Sequence, residues 1–216
     1  MSDNGLSKSE MAARIAADIP QGSYVNLGIG LPTLVSNFIS EDADVILHTE
    51  NGMLGMGPEA QGNQVDPDLM NAGKIAVLEN PGASYFHHAD SFAMIRGGHI
   101  DLCVLGAFQV SFAGDLANWH AGNPDDIPSV GGAMDLASGA VKTFVMMTLF
   151  DKAGNSKLVP ECTVPLTAKR CVDRIYTDHA VFEITESGIE VIETHGISLA
   201  ELKQRVGLRS GLVNLS

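Results

Sequence analysis

The spacing of apolar residues divides the chain into helices and short strands. A first helix is predicted where apolar residues recur at helical intervals behind Ser7 and Glu10, a pair typical of a capping box. Short apolar runs then occupy residues 24–27, 45–47, 74–78, 102–110 and 144–150. Because helical patterns at 32–39 and 84–95 separate some of these runs, their order indicates an α/β fold with a mainly parallel sheet.

The pattern changes in the last third of the chain. Residues 174–177, 180–185 and 189–193 indicate short strands, and the last two predict a hairpin with one wet face. Ser198 and Glu201 then predict the start of a closing helix. No linker or repeat interrupts this order. We therefore expect residues 1–216 to form a single α/β domain whose mainly parallel sheet has an antiparallel flank.

Two carboxylates stand where apolar runs end. Glu50 comes shortly after the run at 45–47 and is followed by Asn51-Gly52, whereas Glu79 directly follows the run at 74–78. In open α/β sheets, ligands bind just beyond the carboxyl ends of strands. Either carboxylate could therefore belong to a site or be a solvated turn residue, and local spacing does not separate the two.

Glycine turns also mark several strand ends. Gly28 and Gly30 lie between a predicted strand and the helix that begins at Pro32, but Thr33 replaces the third glycine of a dinucleotide-binding fingerprint. Further glycines that we expect in turns occur at positions 52, 55, 57, 106, 131 and 132. Backbone N–H groups exposed at such turns suit an oxyanion or a phosphate. Beside a strand-end carboxylate and without a convincing histidine base, they indicate that a carboxylate is the nucleophile.

Composition limits the kinds of ligand that the chain can bind and the cell compartments in which we expect it. The net charge of −13 over 216 residues argues against nucleic acid and requires local or partner-derived cations for an anionic ligand. No apolar run reaches the ~18 residues of a membrane span, and the N-terminal residues lack the pattern of a signal peptide. Three cysteines without a C-x-x-C pair and seven scattered histidines predict a cytoplasmic protein without a metal site.

Several longer motifs occupy residues 26–32, 50–58, 71–74, 91–99, 114–119 and 131–136. They closely resemble the β subunit of class I CoA-transferases that act on 3-oxoacids, and the resemblance extends over residues 7–195. Residues 86–90 and 117–120 are most similar to the 3-oxoadipate branch, with the acetoacetate branch as the alternative. The resemblance implies a three-layer fold of the CoA-transferase and isomerase type.

By this resemblance, Glu50 is the nucleophile of a ping-pong reaction that moves CoA from succinyl-CoA to a 3-oxoacid, here 3-oxoadipate. Its carboxylate attacks the thioester to give a mixed anhydride, and the CoA thiolate returns to form a glutamyl-CoA thioester. The second acid then reverses these steps. The family mostly has an apolar or small residue where this chain has Glu79, so we interpret Glu79 as incidental.

The resemblance also assigns roles around the nucleophile. The Gly131 N–H stabilises the oxyanion together with a side chain of an α subunit, and Asn26 lies near the nucleophile. Lys74 contacts a CoA phosphate, with Gly28 and Gly30 beside the same substrate. No cofactor is implied, because CoA enters as a thioester substrate. No α half precedes the first helix, which implies a separate α subunit and an α2β2 assembly.

Two other functions stay open at the level of sequence. A sugar-phosphate isomerase on a similar scaffold would use Glu50 as a general base and would exchange a substrate proton without CoA. A non-catalytic effector-binding module would bind its ligand without turnover, even with an α partner present. The chain has no DNA-reading segment to accompany such a module.

Overall fold

A nine-stranded sheet organises the part of the chain that the structure describes. The structure is a computed structural model and describes residues 5–122, 125, 127 and 130–208. Its helices are α1 (Lys8–Asp18), α2 (His88–Arg96), α3 (Ala133–Gly139) and α4 (Leu199–Val206), with 3-10 helices at Leu31–Phe38, Glu41–Ala43 and Gly62–Gln64. Its strands are β1 (Tyr24–Leu27), β2 (Ile46–Thr49), β3 (Met53–Glu59), β4 (Val77–Tyr85), β5 (Leu102–Leu105), β6 (Gln109–Ser111), β7 (Leu116–Ala117), β8 (Lys142–Met146), β9 (Leu158–Val159), β10 (Arg174–Tyr176), β11 (Ala180–Thr185) and β12 (Gly188–Thr194).

The middle of the large sheet is parallel and both of its edges are antiparallel. The strand order is β12-β11-β10-β8-β5-β1-β2-β3-β4. Strands β10, β8, β5, β1 and β2 pair in parallel, which confirms the predicted parallel sheet, and β11 with β12 forms the predicted antiparallel flank. A second antiparallel edge, β3 with β4, goes beyond the prediction. Its strands contain glycines and Pro81, residues typical of turns, but an edge strand tolerates proline.

Helices cover both faces of the sheet. In β5, Leu102 and Val104 pack on one face with α1, whereas Cys103 and Leu105 pack on the other face with α2 and α3. Successive side chains of a strand point to opposite faces, so one short strand contributes to two apolar layers. The 3-10 helix at Leu31–Phe38 joins α1 on the first face, and α4 joins the second. The predicted three-layer α/β fold is confirmed.

The predicted helix caps are present near both ends of the chain. Ser7 Oγ accepts from the Glu10 N–H at 3.2 Å, and the Glu10 carboxylate accepts from the Ser7 N–H at 2.8 Å. Ser198 Oγ accepts from the Glu201 N–H at 3.2 Å at the start of α4. These bonds satisfy donors that have no partner inside a helix, so α1 and α4 begin where the sequence predicts.

Several predicted elements have different bounds in the structure: the strand predicted at 74–78 is β4 (Val77–Tyr85), the run at 144–150 is β8 (Lys142–Met146), and two further elements show the cause of such differences. The apolar run at 102–110 is not one strand, because β5 ends halfway along it and β6 belongs to a second sheet of order β7-β6-β9. The helix predicted at 84–95 begins only at His88, because β4 extends to Tyr85. In both cases the apolar pattern continues across a change of direction that tertiary packing determines.

Candidate active site

Glu50 occupies the loop of the β2–β3 hairpin, directly after the parallel strand β2. The Gly52 N–H donates to the Thr49 carbonyl at 3.0 Å and closes the turn. Gly52 has a φ of +115°, and a Cβ at this position would stand 2.2 Å from the Phe86 carbonyl oxygen. Only glycine adopts this positive φ readily and also has no Cβ to collide with that oxygen. The predicted Asn51-Gly52 turn therefore holds Glu50 at the carboxyl end of the parallel strands.

Two glycines expected in turns lie inside strand β3 instead. Gly55 has a φ of +80° at a register shift between β3 and β4, and a Cβ there would stand 3.0 Å from Ala83 Cα. At Gly57 a Cβ would stand 3.0 Å from the Leu78 carbonyl oxygen. These glycines allow the close packing of β3 against β4, which corrects the prediction that they lie in turns.

The Glu50 carboxylate lies against the start of helix α3. A Cβ on Gly132 would stand 2.2 Å from Glu50 Oε2 and 2.9 Å from Phe92 Cζ, so the two side chains meet at this glycine. Gly131, the predicted oxyanion donor, precedes it with a φ of +52° and has open space where a Cβ would stand. The structure thus brings the predicted nucleophile and the predicted glycine pair together.

The surroundings of Glu50 favour its protonated form. The side chain is half-buried, and this burial raises the pKa of its carboxyl above the usual range. His88 lowers the same pKa and Asp135 raises it, both by smaller amounts. Incomplete hydration favours the use of a carboxylate as a nucleophile, because less water has to be displaced when it attacks.

A buried hydrogen-bond network supports the residues that lead into Glu50. Asn26 Nδ2 donates to His48 Nδ1 at 2.9 Å and to the His48 carbonyl at 3.2 Å. Because His48 Nδ1 accepts, the ring proton resides on Nε2, which lies 2.9 Å from Ser91 Oγ. The Ser91 hydroxyl donates onward to the Thr49 carbonyl at 3.2 Å. Burial lowers the pKa of His48 to about 4, so its ring is neutral near pH 7.

Asn26 is connected to Glu50 through this network. Its amide N–H groups are both directed at His48, and among the described residues it makes no hydrogen bond to the Glu50 carboxylate. The side chain is 2 % exposed. Asn26 therefore holds the strand end from which Glu50 projects, and a direct contact with a bound substrate stays a prediction.

The predicted Gly28–Gly30 turn lies at the same end of the sheet. The Gly28 N–H donates to the Val104 carbonyl at 2.8 Å, and a Cβ on Gly28 would stand 3.0 Å from that oxygen. Packing against β5 therefore requires glycine at position 28, whatever else this residue does. Gly30 has a φ of +93° with open space beside it, so its backbone borders the surface where a ligand would lie.

Lys74 belongs to a loop that meets both the glycine turn and the Glu50 hairpin. Lys74 is exposed. Its neighbour Gly73 faces Ile29, to which a Cβ on Gly73 would come within 3.7 Å. Asn51 Nδ2 donates to the Met70 carbonyl at 2.9 Å and fastens the hairpin to the same loop. The structure thus gathers the predicted CoA-binding residues at the edge that carries the nucleophile.

Glu79 has a different environment from Glu50. It lies within the antiparallel edge strand β4, opposite Met56, and is exposed. The Tyr85 hydroxyl donates to its carboxylate along the same strand. Because Glu79 does not follow a parallel strand, the structure separates the two carboxylates that local spacing leaves equal, in agreement with the interpretation that Glu79 is incidental.

Four further side chains surround Glu50 without having been predicted from the sequence: His48, Ser91, Phe92 and Asp135. His48 follows an apolar strand, and Ser91 and Phe92 lie on a predicted helix whose apolar spacing indicates core packing. Their relation to Glu50 depends on residues that are far apart in the chain. The family motifs at 91–99 and 131–136 contain Ser91, Phe92 and Asp135 and could have found them, whereas His48 lies outside the motifs.

The described part of the chain offers neither a metal cluster nor a reactive thiol. No group of three or more histidine, cysteine or acidic side chains there could hold a metal ion. Cys103, Cys162 and Cys171 are free, and burial raises the pKa of these thiols to about 12, 11 and 12. Such thiols are protonated and poorly nucleophilic at neutral pH. In the same described residues, no helix has the length and apolarity to cross a membrane.

Comparison with known proteins identifies the family of this chain. The family model described as Coenzyme A transferase matches residues 8–198, and the chain belongs to that family. The B-type subunit of the 3-oxoadipate CoA-transferase of Pseudomonas putida is 62% identical over 188 residues, which cover 87% of this chain and 88% of that protein. The B-type subunit of the succinyl-CoA:3-ketoacid coenzyme A transferase of Helicobacter pylori is 49% identical over 193 residues, 89% of this chain and 92% of that protein.

A solved structure shows the same fold. The apoenzyme of the acyl-CoA transferase YdiF from Escherichia coli O157:H7 matches with a TM-score of 0.72 and 19% identity. The match covers 100% of this chain but only 44% of that chain, so this chain spans less than half of the YdiF length. The family and the fold together confirm the predicted CoA-transferase class and favour it over an isomerase or an effector-binding module.

Proposed function

We propose that this chain is the β-type subunit of an enzyme that transfers CoA from succinyl-CoA to a 3-oxoacid, with 3-oxoadipate as the acceptor. The observation that carries the proposal is the half-buried Glu50 carboxylate, which projects from a parallel strand end onto the Gly131-Gly132 turn. Higher identity to the 3-oxoadipate enzyme of P. putida than to the H. pylori enzyme, 62% against 49%, supports the choice of acceptor.

The reaction begins with attack of a Glu50 oxygen on the thioester carbonyl of succinyl-CoA. The tetrahedral oxyanion collapses, CoA leaves as the thiolate, and a mixed anhydride joins Glu50 to succinate. The thiolate then attacks the Glu50 carbonyl carbon, succinate leaves, and a glutamyl-CoA thioester is formed. The carboxylate of the 3-oxoacid attacks that thioester, and the same steps in reverse yield 3-oxoacyl-CoA and free Glu50.

The surrounding residues have supporting roles in this proposal. The Gly131 N–H donates to the oxyanion, in a place where the loss of one donor costs about 3–4 kcal/mol. Lys74 pairs with a CoA phosphate, and the Gly28–Gly30 backbone lies along the same molecule. Their positions at one edge of the sheet support these assignments. No resident cofactor takes part, since CoA arrives and leaves as substrate and product.

A separate α-type subunit completes the enzyme. Both relatives described above are named as B-type subunits, which supports a partner for this chain. We assign an α2β2 assembly in which the partner supplies a second oxyanion donor and some of the cations needed for anionic substrates, because this chain has a net charge of −13. Residues 1–216 act as one domain, and the free thiols of the three cysteines fit a cytoplasmic enzyme.

Glu50→Gln tests the nucleophile. In the complex with the α-type subunit, it is expected to lower transfer from succinyl-CoA to 3-oxoadipate by roughly a thousandfold or more, because amide nitrogen and oxygen are poor nucleophiles. Mass spectrometry of the wild-type complex with succinyl-CoA alone is expected to show a CoA adduct on the peptide containing Glu50. Glu79→Gln is the matched control and is expected to retain activity, since Glu79 is exposed on an edge strand. An active Glu50→Gln enzyme, or the absence of the adduct, contradicts the proposal. A preference for acetoacetate over 3-oxoadipate as acceptor would instead assign the enzyme to the acetoacetate branch.

A further inference from the structure

His88 lies beside Phe92, the ring that meets Glu50 at Gly132. It is the first residue of α2 and is exposed. Its ring packs against Phe92 with centroids 4.8 Å apart and an interplanar angle of 56°. Phe92 Cζ and Glu50 Oε2 in turn lie 2.9 Å and 2.2 Å from the position that a Cβ on Gly132 would take. His88, Phe92 and Glu50 are therefore successive neighbours at the carboxyl end of the sheet.

His88 carries a side-chain donor that the fold itself does not use. The helix is capped by the preceding residue, since His87 Nδ1 accepts from the Ala89 N–H at 3.1 Å. In the part of the chain that the structure describes, no hydrogen bond or ion pair includes a ring nitrogen of His88. His88 acts to lower the pKa of the Glu50 carboxyl, which agrees with its position near that group.

The arginine on this face of α2 is already engaged. The Arg96 guanidinium lies over the Phe92 ring at 5.6 Å, on the helix turn that follows, and Arg96 Nε donates to Asp135 Oδ1 at 2.6 Å. Asp135 acts on the pKa of Glu50 with the opposite sign from His88. For a second negative charge brought in by a substrate, His88, unlike Arg96, is a side-chain donor without a partner among the described residues.

The substrates of the proposed reaction carry such a charge. Succinate and 3-oxoadipate each have one carboxylate that reacts at Glu50 and a second, distal carboxylate that does not. The distal group adds negative charge next to Glu50 and Asp135 in a chain of net charge −13, a cost that a monocarboxylic acid avoids. Recognition of a dicarboxylic acid therefore requires a donor near Glu50 that can reach the distal carboxylate.

We propose that His88 is the residue of this chain that selects dicarboxylic substrates, by donating a ring N–H to their distal carboxylate. The inference rests on the proposed CoA transfer and adds a determinant of its substrate class. His88 takes no part in bond making, so its replacement alters the preference between acids and leaves the Glu50 chemistry intact.

Paired acceptors of equal length test this role in the complex with the α-type subunit. 3-Oxoadipate and 3-oxohexanoate have the same six-carbon chain, and only the first has a distal carboxylate. In ping-pong kinetics, kcat/KM for the acceptor reports the second half-reaction alone, so the donor does not affect the comparison. His88→Ala, which removes the side-chain donor, is expected to lower kcat/KM for 3-oxoadipate about tenfold and to leave that for 3-oxohexanoate within about twofold. His88→Glu is expected to lower the value for 3-oxoadipate further, and His88→Arg to restore most of it.

The controls separate this inference from the proposed function. His99→Ala replaces an exposed histidine beyond the other end of α2 and is expected to change neither kcat/KM value. Equal losses for both acids in His88→Ala, or no loss for either, would overturn the role of His88 while the wild-type Glu50–CoA adduct still supports CoA transfer. Absence of that adduct and of turnover with either acid in the wild-type complex would overturn both proposals.

Discussion

Glu50 can approach helix α3 because its neighbour there has no side chain. Gly132 has a φ of −86° and a ψ of 5°, angles that other residues also adopt, so its backbone does not require glycine. The limited space at this position is what favours glycine, because a Cβ would stand 2.2 Å from Glu50 Oε2. At Gly131 the reverse holds, since a φ of +52° favours glycine while nothing lies within 4 Å of the position of a Cβ. Substitutions at these two adjacent glycines therefore test the effect of space and the effect of backbone strain separately.

Gly132→Ala is expected to lower kcat for CoA transfer by roughly a hundredfold, because the methyl group displaces the nucleophile by about 1 Å. Gly131→Ala retains the N–H and is expected to cost about 1–2 kcal/mol of stability with a loss in kcat below about tenfold. Steady-state kinetics of the assembled enzyme and thermal unfolding of each variant measure both effects. Equal losses of kcat in the two variants would show that the space at Gly132 does not position Glu50.

At the scale of elements, charged groups as well as apolar ones join helix α1 to the sheet. The Asp18 carboxylate lies 2.6 Å from Arg14 Nη1 and accepts from Arg174 Nη1 at 2.9 Å and from the Tyr176 hydroxyl at 2.7 Å. Burial acts to raise the pKa of Asp18, but hydrogen bonds from Arg14 and Tyr176 outweigh burial and lower the pKa. The ionised carboxylate therefore connects α1 with β10 at neutral pH.

Asp18→Asn is expected to lower the free energy of unfolding by about 2 kcal/mol, because both arginines lose an ionic partner in a half-buried place. Urea unfolding followed by circular dichroism at pH 7 measures the change. Glu201→Gln is the control, since its pair with Arg205 spans 3.7 Å on the exposed side of α4 and is expected to contribute less than about 0.5 kcal/mol. If Asp18→Asn were no more destabilising than the control, the charged contacts would not be what joins α1 to the sheet.

The elements that the sequence predicts well are those with local determinants. The caps at Ser7 and Ser198 depend on residues three positions apart, and the strands at 180–185 and 189–193 show their alternation directly. The β3–β4 edge is different. Its glycines and Pro81 have turn chemistry, and only pairing with a neighbouring strand makes them part of a sheet. Local propensity therefore fails at the edge where tertiary pairing outweighs it.

At the scale of the whole molecule, the site is assembled from segments that no local pattern connects. Glu50 and its Asn51-Gly52 turn are a local signal, but the same local rules also mark Glu79, and in the sequence only the resemblance to the family separates the two. Ser91 lies on α2 and Gly132 directly precedes α3, and the connections of the parallel sheet bring them to the same strand end. Family motifs mark these segments, but the hydrogen bonds beneath Glu50 and the position of His88 required the folded chain.

The buried His48 links the stability of the whole chain to pH. Burial lowers the pKa of His48 from 6.5 to about 4, so the folded state binds a proton less readily than the unfolded state. The resulting stabilisation is fully present above pH 6.5, is lost as the pH falls towards 4, and amounts to about 3 kcal/mol.

His48→Gln keeps an acceptor for Asn26 and a donor for Ser91 but cannot be protonated. The difference in unfolding free energy between wild type and His48→Gln, measured in urea from pH 8 to pH 4, is therefore expected to shift by about that amount in favour of the variant. Other groups titrate in both proteins and cancel in this difference, and His99→Gln, in which the replaced histidine is exposed, should give a flat difference. A flat difference for His48→Gln as well would show that protonation of His48 does not oppose folding.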